Sequence, residues 1–123
     1  MHFVFRWEQD LIEQDEFSPC RLHEHKGTFS LLFARFDNDF MDRAEKHRGM
    51  GGGYTMEAMV DAALAIEGLE LADLVPASEA SMFSMRGQKS SLKIVADIIR
   101  RLLSEPDYAE AAIAHSVAQG KFE

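Results

Sequence analysis

The residues best suited to hold a metal ion lie close together near residue 20. His23 and His25 are two positions apart in a stretch with strand character, so both imidazoles would project from one face, and Cys20 would approach from the preceding turn. A structural zinc site normally has four ligands, however, and the other histidines have no ligand spacing. The sequence therefore favours a polar strand face over a metal site, and it predicts no cofactor.

A cluster of carboxylates follows. Asp37, Asp39 and Asp42 surround Asn38 and have the composition of a calcium loop. An EF-hand loop needs glycine at its sixth position and a bidentate glutamate at its twelfth, and Asp42 and Arg48 stand there instead. The same residues suit the start of a helix, where the N-terminal dipole favours carboxylates. We therefore predict a capped helix.

Three consecutive glycines, 51–53, precede Tyr54 and a helical pattern that starts at Thr55. Free backbone N–H groups at such a position can bind a phosphate. The segment lacks the Lys-Ser/Thr of a P-loop, follows a helix rather than a strand, and has Glu57 nearby to repel an anion. We expect a sharp turn into the helix, made possible by the positive φ angles that glycine adopts easily.

Catalytic residues form no recognisable pattern. Cys20 has no motif around it, and no Ser-His-Asp or Cys-His pairing follows from spacing. The numerous carboxylates fall on stretches with the pattern of solvated faces. We therefore expect that the protein is not an enzyme.

The charge balance favours a protein partner. The chain has 13 Lys and Arg against 21 Asp and Glu, a formal net charge of −8 at pH 7. Such a surface repels nucleic-acid backbones and anionic lipids, so we expect neither nucleic acid nor membrane as a partner. It favours fast association with a basic protein.

Cysteine usage and hydropathy predict the compartment. Cys20 is the only cysteine, so no intramolecular disulfide can form, which is typical of a reducing environment. The first residues lack the apolar core of a signal peptide, and no stretch reaches the ~20 apolar residues that span a bilayer. We therefore expect a cytoplasmic protein.

Apolar patterns predict strands mainly in the first third of the chain. Aromatic residues alternate over 2–7, as in a half-buried strand, and a Lys-Gly pair between 20–25 and 28–36 predicts a hairpin. Because 28–36 is apolar on both faces, we expect it to be central, between 2–7 and 20–25. A further alternation predicts a strand over 81–86.

Helical spacing dominates the rest. It predicts a short helix that ends near 48, then helices at 55–67 and 90–104, and a last one up to Val117 that buries this residue. Gly68 would stop the second helix, and Asp107 with Glu110 would cap the last.

This order of elements predicts an α+β fold, with a mainly antiparallel sheet of about four strands and helices packed on one face. The 46% of hydrophobic residues suffices for a core. No repeat, low-complexity tract or linker divides the chain, so we expect residues 1–123 to form a single domain.

Three stretches occur in the order found in a known family. They are 27–33 (Gly-Thr-Phe-Ser-Leu-Leu-Phe) with the acidic segment 36–40, the turn 51–54 (Gly-Gly-Gly-Tyr), and 78–84 (Ser-Glu-Ala-Ser-Met-Phe-Ser), which precedes an amphipathic helix. Together they resemble the Immunity protein 51 family, small bacterial proteins associated with polymorphic toxin systems. Gly52 departs from the family's usual Asn, and Thr55-Met56 replaces its Asp-Trp.

The resemblance implies an immunity protein that neutralises a cognate toxin by direct binding, without a reaction of its own. Many such toxins act on nucleic acid and have basic surfaces, so acidic residues here would occupy the place of phosphate. The candidate toxin-binding residues are Asp37, Asp39, Asp42, Tyr54 and Glu57. The motif residues assigned to structure are Gly51, Gly53, Met82 and Phe83.

Two other functions stay open. A small regulatory or ligand-binding α+β module would gain thermal stability with a small molecule. A small enzyme would have a pocket lined by groups with displaced pKa values. The Met and Phe content allows a homodimer as well as a monomer.

Overall fold

The structure is a computed structural model that describes residues 11–12, 15–46 and 52–119. Its strands are β1 (Leu11–Ile12), β2 (Arg21–His25), β3 (Thr28–Phe33), β4 (Val75–Pro76) and β5 (Phe83–Gly87). Its helices are α1 (Asp39–Glu45), α2 (Gly52–Glu67), α3 (Lys89–Ser104) and α4 (Pro106–Ala118), and a 3-10 turn covers Asp15–Phe17. The strand expected at 2–7 lies outside the described residues.

The sheet is antiparallel throughout, in the order β1-β2-β3-β5-β4. The predicted hairpin of β2 and β3 is confirmed. Lys26 and Gly27 at its turn have φ angles of 53° and 81°, and such a left-handed pair matches the twist of the strands. β3 is central, as predicted, but its second neighbour is β5, so the expected pairing with 2–7 is wrong. It also ends at Phe33 rather than at 36.

One face of the sheet carries the core. The strand register aligns Leu22, Leu31 and Met85 across β2, β3 and β5, and each is at most 1% exposed. The helices α2 and α3 pack on this face. On the opposite face, the described side chains of these three strands are exposed or half-buried. The helices therefore cover one face of the sheet, which confirms the predicted α+β architecture.

The helix α2 is central to the core. It is apolar on most of its circumference, with Met56 and Met59 fully buried, which is typical of a helix enclosed on several sides. α4 packs on the side of α2 away from the sheet, where the Ser116 hydroxyl donates to the Ala58 carbonyl over 3.3 Å. Val117, expected to be buried there, is 48% exposed because Ser116 occupies the contact.

The start of α2 differs from the expected glycine turn. Gly52 and Gly53 lie inside the helix, where Gly52 packs on the Phe36 ring and Gly53 packs on the loop before β5. A Cβ on Gly53 would lie 1.8 Å from the Glu79 carbonyl oxygen, and the Gly53 N–H donates to the Ala80 carbonyl over 3.1 Å. Close approach of two backbones, rather than a positive φ, requires glycine here.

The start of α4 also differs from prediction. Pro106 is its first residue, where the fixed φ of proline suits a helix, and Glu105 before it makes no side-chain capping hydrogen bond. Glu110, expected to cap together with Asp107, forms an ion pair with Arg43 of α1 instead. The capping pair is therefore wrong, because a long-range contact takes one of its members.

Other boundaries agree with the sequence. α3 spans the predicted 90–104 and begins one residue earlier, and Gly68 ends α2 with a φ of 70°. β5 lies within two residues of the predicted 81–86, whereas α1 ends at Glu45, before the expected 48. None of the described helices has the length and apolar character needed to cross a bilayer.

Candidate partner-binding site

The loop that leads into α1 is fixed by one side chain, Asn38. Its Oδ1 accepts a hydrogen bond from the Met41 N–H over 2.8 Å, and its Nδ2 donates to the Arg35 carbonyl over 2.7 Å. The predicted helix cap is thus confirmed, with an amide rather than a carboxylate as the capping group. Because Asn38 satisfies the helix start, the carboxylates of Asp37 and Asp39 on either side stay exposed.

An open groove of about 360 Å³ lies beside α1, where the end of β3 meets the junction of α3 and α4. Its apolar lining consists of Pro19, Phe33, Phe40, Leu102, Leu103 and Pro106. Its polar lining consists of Arg35, Asp37, Asn38, Asp39, Arg43 and Ser104. The groove therefore combines an apolar floor with a rim of both charge signs.

The charges on this rim are unequally matched. Arg43 forms an ion pair with Glu110, and its Nε lies 3.4 Å from Asp39 Oδ2, a contact without hydrogen-bond geometry. Two carboxylates therefore already face the single cation Arg43. Within the described part of the chain, Asp37 has no ion pair or side-chain hydrogen bond, and the guanidinium of Arg35 has none either. These two side chains are available to a partner.

The remaining predicted contact residues lie outside the groove. Asp42 is exposed on α1 and has no ion pair among the described residues. Tyr54 is 37% exposed and Glu57 is half-buried, and both lie on one stripe of α2 together with exposed Asp61. α1 packs against α2, so these residues lie on adjacent helices. The structure thus brings Asp37 and Asp39 to the groove and places the other three on the surfaces of α1 and α2.

Three polar residues of this region, Arg35, Arg43 and Asp61, were not identified from the sequence. Arg43 follows Asp39 by four positions and Asp61 follows Glu57 by four, a spacing that places helical side chains side by side. That periodicity was sufficient to find both. Arg35 gave no such signal, because it precedes the helix and reaches the groove only through the fold.

The motif residues form a separate contact. Phe83 is fully buried, Met82 is half-buried, and Gly53 packs on the backbone of the loop that leads into them. This contact joins the start of α2 to the start of β5 and does not line the groove. Gly51 lies outside the described residues.

The histidines and the cysteine do not converge. The rings of His23 and His25 are nearly parallel, with centroids 6.4 Å apart, on the sheet face away from the core. Cys20 is 6% exposed within the core, and this burial raises the pKa of its thiol to about 12, with a smaller opposing effect from Arg100. In the described ranges, no three His, Cys, Asp or Glu side chains are grouped closely enough to hold a metal ion.

Other groups with displaced pKa values serve contacts between elements. Asp73 accepts hydrogen bonds from the Gln88 N–H over 2.8 Å and from the Ser91 hydroxyl over 2.9 Å, and these bonds lower its pKa. Burial and the neighbouring carboxylate of Glu67 raise the pKa of Tyr108. Neither Asp73 nor Tyr108 lines the groove.

The chain matches no protein-family model, no curated protein and no solved structure.

Proposed function

We propose that this chain is an immunity protein of the Immunity protein 51 type, which neutralises a cognate bacterial toxin by direct binding and catalyses no reaction. The observation that supports it most is the group of exposed carboxylates at the start of α1, Asp37, Asp39 and Asp42, beside an open groove. We further propose that it acts in the cytoplasm, where its lone cysteine stays reduced.

Two of these carboxylates, Asp37 and Asp42, make no described ion pair that would hold the fold together. Asn38 makes the helix cap. Three like charges within one loop and helical turn repel one another, and the helix dipole and the contact of Asp39 with Arg43 offset only part of this repulsion, so an external cation would stabilise the arrangement further. A basic protein surface would supply that cation, and the net charge of −8 would speed its approach.

The groove adds apolar contacts to the charged surface at the start of α1. Protein interfaces combine a buried apolar centre with a polar rim, and the apolar lining beside charged Arg35 and Asp37 has that composition. Tyr54, a contact residue predicted from the sequence, adds an exposed aromatic side chain on the neighbouring helix. Tyrosine is among the residues enriched in interface hot spots.

A small-molecule-binding module is the second candidate, supported by the same groove. A volume of about 360 Å³ is within the range of about 300–1,000 Å³ typical of ligand sites. A metabolite that binds there would raise the melting temperature in proportion to the logarithm of its concentration. An immunity protein would instead be stabilised by its toxin.

The proposal is tested by measuring bacterial growth while the candidate toxin is expressed. The candidate is the product of the gene beside that of this chain, and its gene is induced in cells with and without this protein. Rescue of growth, together with a stoichiometric complex on co-purification, is the expected result. If the neighbouring product is toxic and this chain neither rescues growth nor binds it, the immunity function is wrong for that pair. A melting-temperature screen against metabolites would then test the ligand-binding module.

A further inference from the structure

We infer that the groove beside α1 binds one arginine side chain of the partner, with the guanidinium at Asp37 and the aliphatic stem on the apolar lining. The inference deepens the proposed function and rests on it in one respect, that the partner is a basic protein. It adds the chemical group that the groove recognises.

The apolar lining suits the stem of a long side chain. Phe33 and Leu102 form the base of the groove and are at most 3% exposed, whereas Leu103 and Pro19 are half-buried and Pro106 is exposed. These last three leave apolar surface in contact with water. The methylene groups of an arginine would cover that surface while the charged head stays at the rim.

The carboxylate of Asp37 suits the charged head. Asp37 is exposed, has no described partner, and is adjacent to Asn38, whose backbone N–H donates to the Phe36 carbonyl over 3.0 Å. Arg43 is the nearest cation on α1, but Asp39 and Glu110 already face it. An incoming cation therefore meets an unmatched carboxylate on an ordered backbone. A planar guanidinium can bind such a group through two parallel hydrogen bonds, which the ammonium of lysine cannot.

Arg35 provides a test of the sign of the charge. Its exposed guanidinium lies on the same rim and would repel an arginine in the groove. If the occupant is a cation, loss of the Arg35 charge should strengthen binding, and loss of the Asp37 charge should weaken it. A neutral occupant would respond to neither, and an anion would reverse both signs.

Two small probes that differ only in charge make the measurement possible without the toxin. N-acetyl-argininamide and N-acetyl-citrullinamide have the same length, but the urea head of citrulline is neutral. Each would be titrated into the full chain with labelled leucine methyl groups, and the NMR shifts of Leu102 and Leu103 recorded. We expect saturable shifts with the arginine probe and about two- to fivefold weaker binding of citrulline, the range for one exposed ion pair.

Variants then assign the preference to the groove. In Asp37→Asn, the arginine probe should bind no better than citrulline, whereas in Arg35→Gln it should bind more tightly than in the unsubstituted protein. Glu70→Gln is the matched control, because Glu70 is exposed, has no described partner and does not line the groove. It should change nothing.

The inference is overturned if the two probes bind equally, if the Leu103 methyls do not shift, or if Arg35→Gln weakens binding of the arginine probe. Because no toxin is present, failure here is separate from failure of the growth experiment. If growth is rescued but the two probes bind equally, the immunity function stands and the arginine site is wrong. If the groove prefers the arginine probe but growth is not rescued, the arginine site stands and the neighbouring gene product is not the partner.

Discussion

Two groups of residues singled out in the sequence lie in opposite environments. Gly53 and Phe83 are buried where α2 meets the start of β5, in direct contact with backbone or core. Asp37, Asp39 and Asp42 are exposed at the start of α1, and their only described ion-pair contact is that of Asp39 with Arg43. The first group is therefore explained by folding alone. The structural explanation of the second group is limited to the helix dipole and the contact of Asp39 with Arg43, and we propose that the group also serves the partner.

The largest effect is expected from Phe83→Ala. The side chain is 0% exposed in the core, so its removal loses buried apolar area and leaves a cavity. Denaturant unfolding should show a loss of about 3–5 kcal/mol in the free energy of unfolding. A loss below about 1 kcal/mol would mean that this region does not anchor the fold, and the contrast between the two groups would fail.

A smaller loss is expected from Gly53→Ala. The added methyl group would overlap the Glu79 carbonyl oxygen, so α2 and the loop before β5 must separate. Overpacking of this kind costs about 1–3 kcal/mol, and more where backbone cannot move. Gly27→Ala is a poor control because of its positive φ, whereas Ala65→Ser, at an exposed position of the same helix, is suitable. Equal stability of the Gly53 and Ala65 variants would contradict the close contact.

Asp73 differs from the carboxylates at the start of α1 because its hydrogen bonds join two elements of the fold. Its hydrogen bonds from Gln88 and Ser91 hold its folded-state pKa below the ordinary value near 4. The stabilisation is therefore complete above the unfolded-state pKa, and it is lost as the pH falls through the lower folded-state pKa. We expect Asp73→Asn to lower the melting temperature by a few degrees at pH 7 and to converge with the unsubstituted protein in strong acid.

Melting curves of both proteins between pH 7 and pH 2 check this prediction, with Glu70→Gln as the control. A difference that stays constant over the whole range would show that the charge of Asp73 is not what stabilises the start of α3.

Local patterns in the sequence predicted much of the fold. The Lys26-Gly27 turn, the periodicity of α3 and the stop at Gly68 each depend on neighbouring residues only, and all three are confirmed. The failures come from distant contacts. Glu110 was assigned to a local cap but pairs with Arg43, which is 67 positions away. The burial of α4 was misjudged at Val117 because packing on α2 decides which side faces inwards.

The candidate site was also predictable only in the part that depends on neighbouring residues. The local Asx cap keeps Asp37 and Asp39 exposed, so their place at the surface follows from the sequence. The groove beside them does not, because Pro19, Phe33 and Leu103 come from three separate segments. The position of Arg35 beside Asp37, with the opposite charge, follows only from the folded groove.

The smallest effect on folding is expected from the triple variant Asp37→Asn, Asp39→Asn, Asp42→Asn. Loss of favourable charge at the start of α1 and of the contact with Arg43 should lower the free energy of unfolding by less than about 1 kcal/mol. Urea unfolding measures this directly. A loss of several kcal/mol would show that these carboxylates hold the fold, and the contrast with Gly53 and Phe83 would disappear.

The affinity of this triple variant for the toxin that the unsubstituted protein neutralises tests whether the start of α1 is the interface. A control triple, Glu24→Gln, Glu70→Gln, Glu79→Gln, removes the same charge from residues that do not line the groove. We predict that the aspartate variant binds at least tenfold more weakly than the control, which corresponds to about 1.4 kcal/mol in binding free energy. We also predict that it no longer protects growth. Equal affinity of the two variants would contradict an interface at the start of α1.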